Sequence, residues 1–219
     1  MAKLNLETLE KWLWDSANIL RGHIDSSDFK NYIFGLMFLK RASDQFFEEA
    51  KIAVEKEGID LEEAIEDEDY HRFFIPKNAW WSEIAKKTEN IGQAIDQAFS
   101  SIEEYNSSLE GVMTAVHFGD SEKLPDSLLS RLLQHFNKYS LANSDLENPD
   151  ILGNSYEYLI RQFADDSGKK GTFSPGQTSA HPSWIQAEGF RCRIGGKHYS
   201  HKVDLRHQRT SGYRDGFQI

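Results

Sequence analysis

The sequence predicts an all-α protein, a multi-helix bundle followed by an irregular C-terminal tail. Two observations support this class. Apolar residues recur at helical spacing through most of residues 5–164, with no internal repeat of solenoid period. Beyond Gly168 the composition shifts to Gly, Ser, His, Arg and Gln, and neither a helical nor a strand period is sustained. We therefore place a helical domain at 1–168, and a linker with an irregular tail at 169–219.

The second predicted helix is the most apolar stretch, and the bundle is expected to form around it. Gly22 ends the helix before it, and Asp25, Ser26 or Ser27 can cap its first turn. The helix is expected to stop at Gly58. Its apolar stripe is too wide for a contact between two helices. The stripe consists of Phe29, Ile33, Leu36, Met37, Leu39, Ala42, Phe46 and Phe47.

The other elements follow from apolar spacing and from helix start and stop signals. Asn90 is expected to cap the helix that begins at Ile91. Pro76 closes a short extended segment, and Pro125 lies near a first helical turn, where its missing N–H costs nothing. Helices or helical turns are predicted at 5–21, 29–56, 59–68, from 78, from 91, at 124–139 and at 148–164.

Size and overall charge describe an ordinary acidic protein. The 219 residues can bury a core, and the net charge is −10 with a pI near 5.3. No apolar run reaches the roughly 18 residues of a membrane helix, and the first residues carry no secretory signal pattern. We therefore expect a cytoplasmic protein with no membrane partner.

The charge is unevenly distributed, and this limits how nucleic acid can bind. Residues 169–219 hold nine Lys or Arg against three acids, a balance of +6, which leaves −16 for residues 1–168. Binding through release of phosphate counterions needs a basic face. Any DNA contact made by residues 1–168 must therefore be local, or shared with another subunit.

Few residues suggest chemistry. Trp80 and Trp81 are better interpreted as core or domain-interface anchors than as a stacking platform for bases, and the chain has no phosphate loop or G-x-S-x-G elbow. A single cysteine excludes an internal disulfide and a multi-cysteine zinc site. Histidines in the tail lack zinc spacing, so a basic tail is preferred to a metal site. The residues concerned are Cys192, His181, His198, His201 and His207.

Six segments stand in an order typical of one family. They are LWDSANILRG (13–22), IDSSDFKNYI (24–33), FLKR (38–41), LEGV (109–112), HFN (135–137) and PDILGNSYEYLIRQFA (149–164). Over about residues 5–171 the chain resembles the N-terminal helical domain of the modification (methyltransferase) subunit of type I restriction–modification systems.

The resemblance implies a function for the full-length subunit. Such subunits transfer a methyl group from S-adenosylmethionine to the exocyclic amine of adenine in double-stranded DNA. They work with a specificity subunit, which reads the target, and with a restriction subunit. The helical domain helps to clamp DNA, while base flipping and methyl transfer belong to a following α/β domain. The resemblance therefore implies no catalytic, cofactor-binding or metal-binding residue in the helical domain.

The chain departs from the family after Gly171. The family continues with Gly-Glu-Phe-Tyr/Phe-Thr-Pro, whereas this chain reads TFSPGQ at 172–177, where only Phe173 and Pro175 fit. No Asn-Pro-Pro-Phe loop and no glycine-rich cofactor loop occur downstream. We hypothesise that residues from about 172 are out of frame, and that the catalytic domain is absent from this chain.

Three functions remain open from sequence. The chain can be an interaction module that does not methylate alone, an enzyme completed by a catalytic domain from another chain, or a free-standing DNA-binding or partner-docking protein. For contacts to DNA we select Arg21, Lys30, Asn31, Lys40 and Arg41. The alternative is that Lys40 and Arg41 pair with nearby acids or only solvate their helix.

Overall fold

The computed structural model describes residues 3–26, 28–111, 114 and 116–168, with side chains up to 163. Within this part the chain forms α-helices and short 3₁₀ turns, with no named strand, as the predicted all-α class requires. The α-helices are α1 (Leu6–Leu20), α2 (Phe29–Glu57), α3 (Leu61–Glu66), α4 (Trp81–Ile84), α5 (Ile91–Tyr105), α6 (Asp126–Phe136) and α7 (Ile151–Gly168). The predicted irregular tail at 169–219 lies outside the described residues.

Helix α2 is the centre of the bundle, as its wide apolar stripe predicted. Every residue from Ile33 to Ser43 is buried, because α1, α4, α6 and α7 pack around this part of the helix and α3 packs further along it. Gly58 ends α2 in a left-handed conformation (φ 72°), and its N–H donates to the carbonyl oxygen of Val54 at 3.1 Å. The predicted stop at Gly58 is therefore confirmed.

The start of α2 lies slightly later than the expected caps. Asp28 occupies the N-cap position, and its side chain makes no capping hydrogen bond. Backbone bonds close the turn instead, since the N–H of Asp28 donates to Asp25 and that of Asn31 donates to Asp28, both at 3.0 Å. The N-cap position is therefore Asp28 and not a residue of 25–27, and Ser27, one of the predicted caps, lies outside the described residues.

Helix α5 begins differently from the prediction, although its apolar face is buried as expected. Asn90 stands at the N-cap with φ 54°, but its side chain makes no capping bond. The carboxylate of Asp126, at the start of α6, accepts from the N–H groups of Asn90 and Ile91, both at 2.8 Å. The helix is thus capped from a neighbouring helix, and the predicted role of the Asn90 side chain is wrong.

The two adjacent tryptophans anchor the packing, as the sequence suggested. Trp81 is buried, and its indole N–H donates to Asn137 Oδ1 at 2.6 Å. Trp80 is half-buried, and its indole N–H donates to the carbonyl oxygen of Ile75 at 2.8 Å. In the described part of the chain, no helix has the length and apolar character needed to cross a membrane.

Candidate functional site

The five residues selected for DNA contact do not share one surface. Lys30 and Asn31 lie in the first turn of α2, whereas Lys40 and Arg41 lie ten residues further along the same helix. At 1.5 Å and 100° per residue, this spacing places the second pair about 15 Å away and about a quarter turn around the axis. The structure therefore separates the predicted set into two groups.

The second group points into the domain. Lys40 and Arg41 are only 6% and 7% exposed. The Lys40 ammonium binds both carboxylate oxygens of Asp44, at 2.6 Å from Oδ1, and lies 5.8 Å from the ring centre of Trp81. The Arg41 guanidinium donates to the carbonyl oxygen of Leu141 and to a side-chain oxygen of the same loop. Lys40 therefore pairs with a nearby acid, which was the alternative to DNA contact considered for this residue.

Lys40 and Arg41 belong to a polar stripe on α2, here named the loop anchor, that also includes Asp44 and Glu48. Asp44 accepts from the N–H of Leu141 at 2.7 Å. Glu48 accepts from the N–H groups of Asn143 and Ser144 at 2.8 and 2.7 Å, and Asn143 Oδ1 lies 2.5 Å from the Arg41 guanidinium. Because these residues recur at i, i+4 and i+8, one helix face holds the loop that joins α6 to α7.

The anchored loop also receives the start of the chain. The N–H of Leu4 donates to the carbonyl oxygen of Asp145 at 2.8 Å, and the N–H of Glu147 donates back to Leu4 at 2.9 Å. Burial raises the pKa of the Asp44 carboxyl above its ordinary value, against the opposite effect of Lys40. The loop anchor thus fixes where α7 starts relative to α1 and α2. For Lys40 and Arg41 the structure supports this structural role, and their contact with DNA stays an untested prediction.

The first group lies around two adjacent clefts beside the start of α2. A cleft of about 530 Å³ includes Arg21, and a neighbouring cleft of about 340 Å³ includes Asn31. Asp28, Tyr32 and Lys123 line both of them. Arg21 and Asn31 are exposed, and the adjacent Lys30 is half-buried. Only this end of α2 offers the predicted polar residues to solvent or to a partner.

Lys123 is a cleft residue that sequence reasoning missed. It comes from the loop before α6, and its ammonium lies 3.3 Å from Asp120 Oδ2. The hydrogen bond from Lys123 lowers the pKa of Asp120. Burial, reinforced by the negative charge of Asp28, raises the pKa of Tyr32, so its phenol stays protonated. No spacing in the sequence relates residue 123 to residues 21–32, because the contact spans about a hundred residues.

Several residues of the six ordered segments are buried in the interior of the domain or bond to residues buried there. Ser16 and Ser155 are fully buried, and each donates to a carbonyl oxygen three residues earlier in its own helix. Leu109 is also fully buried, and Asn137 receives the indole N–H of Trp81. These segments therefore define how the bundle packs.

The family model of the HsdM N-terminal domain matches residues 9–136, which is more than half of the chain. The chain belongs to the HsdM N-terminal domain family. The matched range runs from the first turn of α1 to the end of α6. It contains the loop anchor residues of α2 and both clefts.

Curated relatives agree with this family. The chain is 28% identical over 180 residues to the type I restriction enzyme MjaIX methylase subunit of Methanocaldococcus jannaschii, covering 74% of this chain and 32% of the relative. It is 23% identical over 195 residues to the MpnII methylase subunit of Mycoplasma pneumoniae, covering 74% of this chain and 36% of the relative. The chain therefore spans about a third of the length of the methylase subunits that it matches.

A solved structure shares the fold. It is the methyltransferase subunit of a type I restriction–modification system from Streptococcus thermophilus, with a TM-score of 0.60 and 22% identity. The match covers 74% of this chain and 39% of that one. Over the matched region, the two chains therefore share the same arrangement of helices.

Among the described residues, no glycine stands in a loop between a strand and a helix, the loop type expected for S-adenosylmethionine, the cofactor that the family resemblance implies. A cofactor loop of that kind needs glycines between a strand and a helix. The described glycines with positive φ are Gly22, Gly58 and Gly111, and each follows a helix or a helical turn. Among the described residues, no three or more His, Cys, Asp or Glu side chains group as metal ligands, and Cys192 with the tail histidines lies outside them.

Proposed function

We propose that this chain acts as the N-terminal helical interaction domain of a type I restriction–modification methylase subunit, and that it does not transfer methyl groups alone. The family match over residues 9–136 carries this proposal. The similar methylase subunits of Methanocaldococcus jannaschii and Mycoplasma pneumoniae support it, because the chain corresponds to about a third of their length. Its partners are then a specificity subunit, a restriction subunit and double-stranded DNA.

The surface at the start of α2 is the one that we propose for contact with DNA. Arg21, Lys30, Asn31 and Lys123 lie there, beside the carboxylates of Asp25, Asp28 and Asp120. Such a balance of charges attracts phosphate weakly. The domain therefore contributes local contacts to DNA that a more basic subunit holds in place, which agrees with the −16 balance of residues 1–168.

The absence of methyl transfer is tested with the purified chain. We expect no S-adenosylmethionine binding in titration calorimetry and no methyl transfer to DNA in a tritium incorporation assay. Saturable binding of S-adenosylmethionine would overturn the proposal. Adding the catalytic domain of a type I methylase subunit together with its specificity subunit is expected to restore methylation only if this chain supplies the docking surface.

The proposed change of frame is tested on the gene itself. Translation of the other two frames downstream of the Gly171 codon is expected to give a Gly-Glu-Phe-Tyr/Phe-Thr-Pro continuation, followed by cofactor and Asn-Pro-Pro loops. Failure of both frames to give these motifs would show that the sequence after residue 171 is not a frameshift product.

A free-standing DNA-binding protein is the second candidate, and the +6 balance of residues 169–219 favours it. It predicts that DNA affinity depends steeply on salt concentration. Removal of residues 172–219 should then make the slope of log affinity against log salt concentration less steep, by about one unit for each lost phosphate contact. The interaction-domain proposal predicts weak binding by either form, with the two salt slopes alike. Fluorescence anisotropy with a 30-base-pair duplex at 50–250 mM salt separates the two.

A further inference from the structure

An apolar groove lies between α3 and the segment 74–80, where α3 packs near Ala50 and Ala53 in the second half of α2. It has a volume of about 490 Å³. Leu61 and Ile65, one helical turn apart on α3, form one wall, and Phe74 and Trp80 form the other. Leu61 is 46% exposed, and the 51% exposed Tyr105 extends the apolar surface, with its ring centre 5.1 Å from that of Phe74. Adjacent exposed apolar side chains also occur at protein–protein contact sites.

The second wall of the groove is fixed before any partner arrives. Asn106 exchanges hydrogen bonds with the backbone of Phe74, accepting from its N–H at 3.0 Å and donating to its carbonyl oxygen at 2.8 Å. The Trp80 indole N–H donates to Ile75, as described above. Because these bonds hold the backbone and the rings, a ligand would bind with little cost in conformational entropy.

The first wall is held by small side chains and one histidine. Ala64 of α3 packs against Ala50 and Ala53 of α2 in a small separate cluster. The imidazole Nε2 of His71 lies 2.8 Å from the carbonyl oxygen of Ala64, so it donates to that oxygen. The inner face of α3 is therefore used for packing. Ile65 is half-buried against the core, and Leu61 presents its exposed side chain to the groove.

The charge around the groove selects its occupant. Residues 57–71 contain eight Asp or Glu and no Lys or Arg, and Glu62 and Glu66 of this acidic segment line the groove together with one cation, Lys77. Nucleic acid is repelled by such a rim, since its phosphates carry the same charge. A polypeptide with Lys or Arg beside its apolar side chains has complementary charge.

We propose that this groove binds a basic amphipathic helical segment of another polypeptide, with its apolar face against Leu61, Phe74 and Trp80 and its cations against Glu62 and Glu66. An apolar groove that receives one face of a helix is a common mode of peptide recognition. The inference goes beyond the proposed function, because it identifies the groove's ligand by chemistry and does not depend on the DNA surface at the start of α2.

The test uses the full chain and a labelled 18-residue peptide of leucine and lysine, with leucine at i, i+3, i+4 and i+7 positions. We expect anisotropy to show saturable 1:1 binding that weakens several-fold from 50 to 300 mM salt. Leu61→Ser and the double change Glu62→Lys/Glu66→Lys are each expected to raise the Kd at least tenfold. Ile52→Ser, at a 40% exposed apolar residue of α2 outside the groove, is the matched control and is expected to change the Kd less than twofold.

Three results would contradict the proposal. The first is no binding of the leucine–lysine peptide to the full chain. The second is equal binding of a leucine–glutamate peptide with the same leucine positions, since the acidic rim would then play no part. The third is an unchanged Kd for both groove variants when circular dichroism shows that they are folded, since the peptide would then bind elsewhere.

Discussion

Trp12 of α1 and His135 of α6 exchange hydrogen bonds across the contact between their helices. The indole N–H of Trp12 donates to the carbonyl oxygen of His135 at 3.1 Å, and the imidazole Nε2 of His135 donates to the carbonyl oxygen of Trp12 at 2.8 Å. The two rings stack with centres 5.7 Å apart. The His135 carbonyl lies in the last turn of α6, where it also accepts from the N–H of Lys138 at 3.2 Å, so the Trp12 indole is a second donor to this oxygen.

Replacement of His135 by leucine tests this exchange. The change keeps an apolar body but removes the donor to Trp12, and we expect the free energy of unfolding to fall by about 1–3 kcal/mol. Urea denaturation followed by circular dichroism measures it. Gln134→Ala, at the exposed neighbouring position, is the control and is expected to stay within about 0.5 kcal/mol of the original chain. Equal stabilities for the two variants would mean that the exchange contributes nothing.

Arg41→Met tests whether this residue anchors the loop before α7. Loss of the guanidinium removes its hydrogen bonds to Leu141 and Asn143, and we expect the free energy of unfolding to fall by about 3 kcal/mol. Lys30→Ala, at the half-buried start of α2, is expected to change it by less than about 0.5 kcal/mol. A stable Arg41→Met variant with reduced affinity for DNA would instead support a direct contact.

The buried carboxyl of Asp44 predicts a pH dependence of stability. Since burial raises its folded pKa above 3.8, the folded chain keeps a proton that the unfolded chain has already released. The stability of the original chain relative to Asp44→Asn should therefore be greatest below pH 3.8, fall as the pH rises through the folded pKa, and then stay constant. Urea denaturation from about pH 3 to pH 7 measures this difference.

The opposite trend for Asp44 would mean that its pair with Lys40 outweighs burial. Glu83→Gln serves as a control of opposite sign, because the hydrogen bond from Lys86 lowers the pKa of the exposed Glu83 carboxyl. That contribution is present above pH 4.5 and is lost as the pH falls.

The capping of α5 by Asp126 is tested by a pair of changes. Asp126→Ala removes the acceptor for the N–H groups of Asn90 and Ile91, and we expect a loss of about 1–2 kcal/mol. Asn90→Gly keeps the left-handed backbone and removes a side chain that makes no capping bond, so it should be neutral within about 0.5 kcal/mol. A larger loss of stability for Asn90→Gly than for Asp126→Ala would mean that the Asn90 side chain caps the helix. Thermal and urea unfolding both report the difference.

Gly92 of α5 allows the backbone at Phe118 to approach closely. A Cβ at this position would lie 2.0 Å from the carbonyl oxygen of Phe118, a distance that no packing tolerates. Gly92→Ala is therefore expected to destabilise the domain by more than about 3 kcal/mol, although alanine favours helix. Gln97→Ala, at an exposed position of the same helix, should be neutral or slightly stabilising. Near-normal urea midpoints for both variants would refute this close approach.

The sequence predicted the long helices well and their ends less well. Apolar spacing placed both ends of α1 and α2 and the start of α5 within two residues, because a stripe repeated over four or more turns determines the helical period. Helix α6 was predicted at 124–139 and runs over Asp126–Phe136, since its ends depend on turns and caps. The cap of α5 could not be predicted, because Asp126 lies 36 residues after Asn90.

The candidate site was predicted only in part. Arg21, Lys30 and Asn31 are at the surface or close to it, as expected for polar residues next to a helix start. Lys40 and Arg41 look equally polar in the sequence, yet the fold buries them against the 141–144 loop. Burial of a charge depends on the acceptors that the fold brings to it, and those acceptors lie about a hundred residues away for Arg41.

By itself, the sequence determined the helical class, the central place of α2, and the family through an ordered set of segments. These properties depend on local spacing, which i to i+4 geometry converts directly into helix faces. The tertiary structure alone decided which polar residues are buried. It also placed Arg21 and Asn31 around the same clefts as Lys123, and it formed an apolar groove with glutamates at its rim beside α3. Each of these depends on residues far apart in the chain, whose proximity follows from how the helices pack.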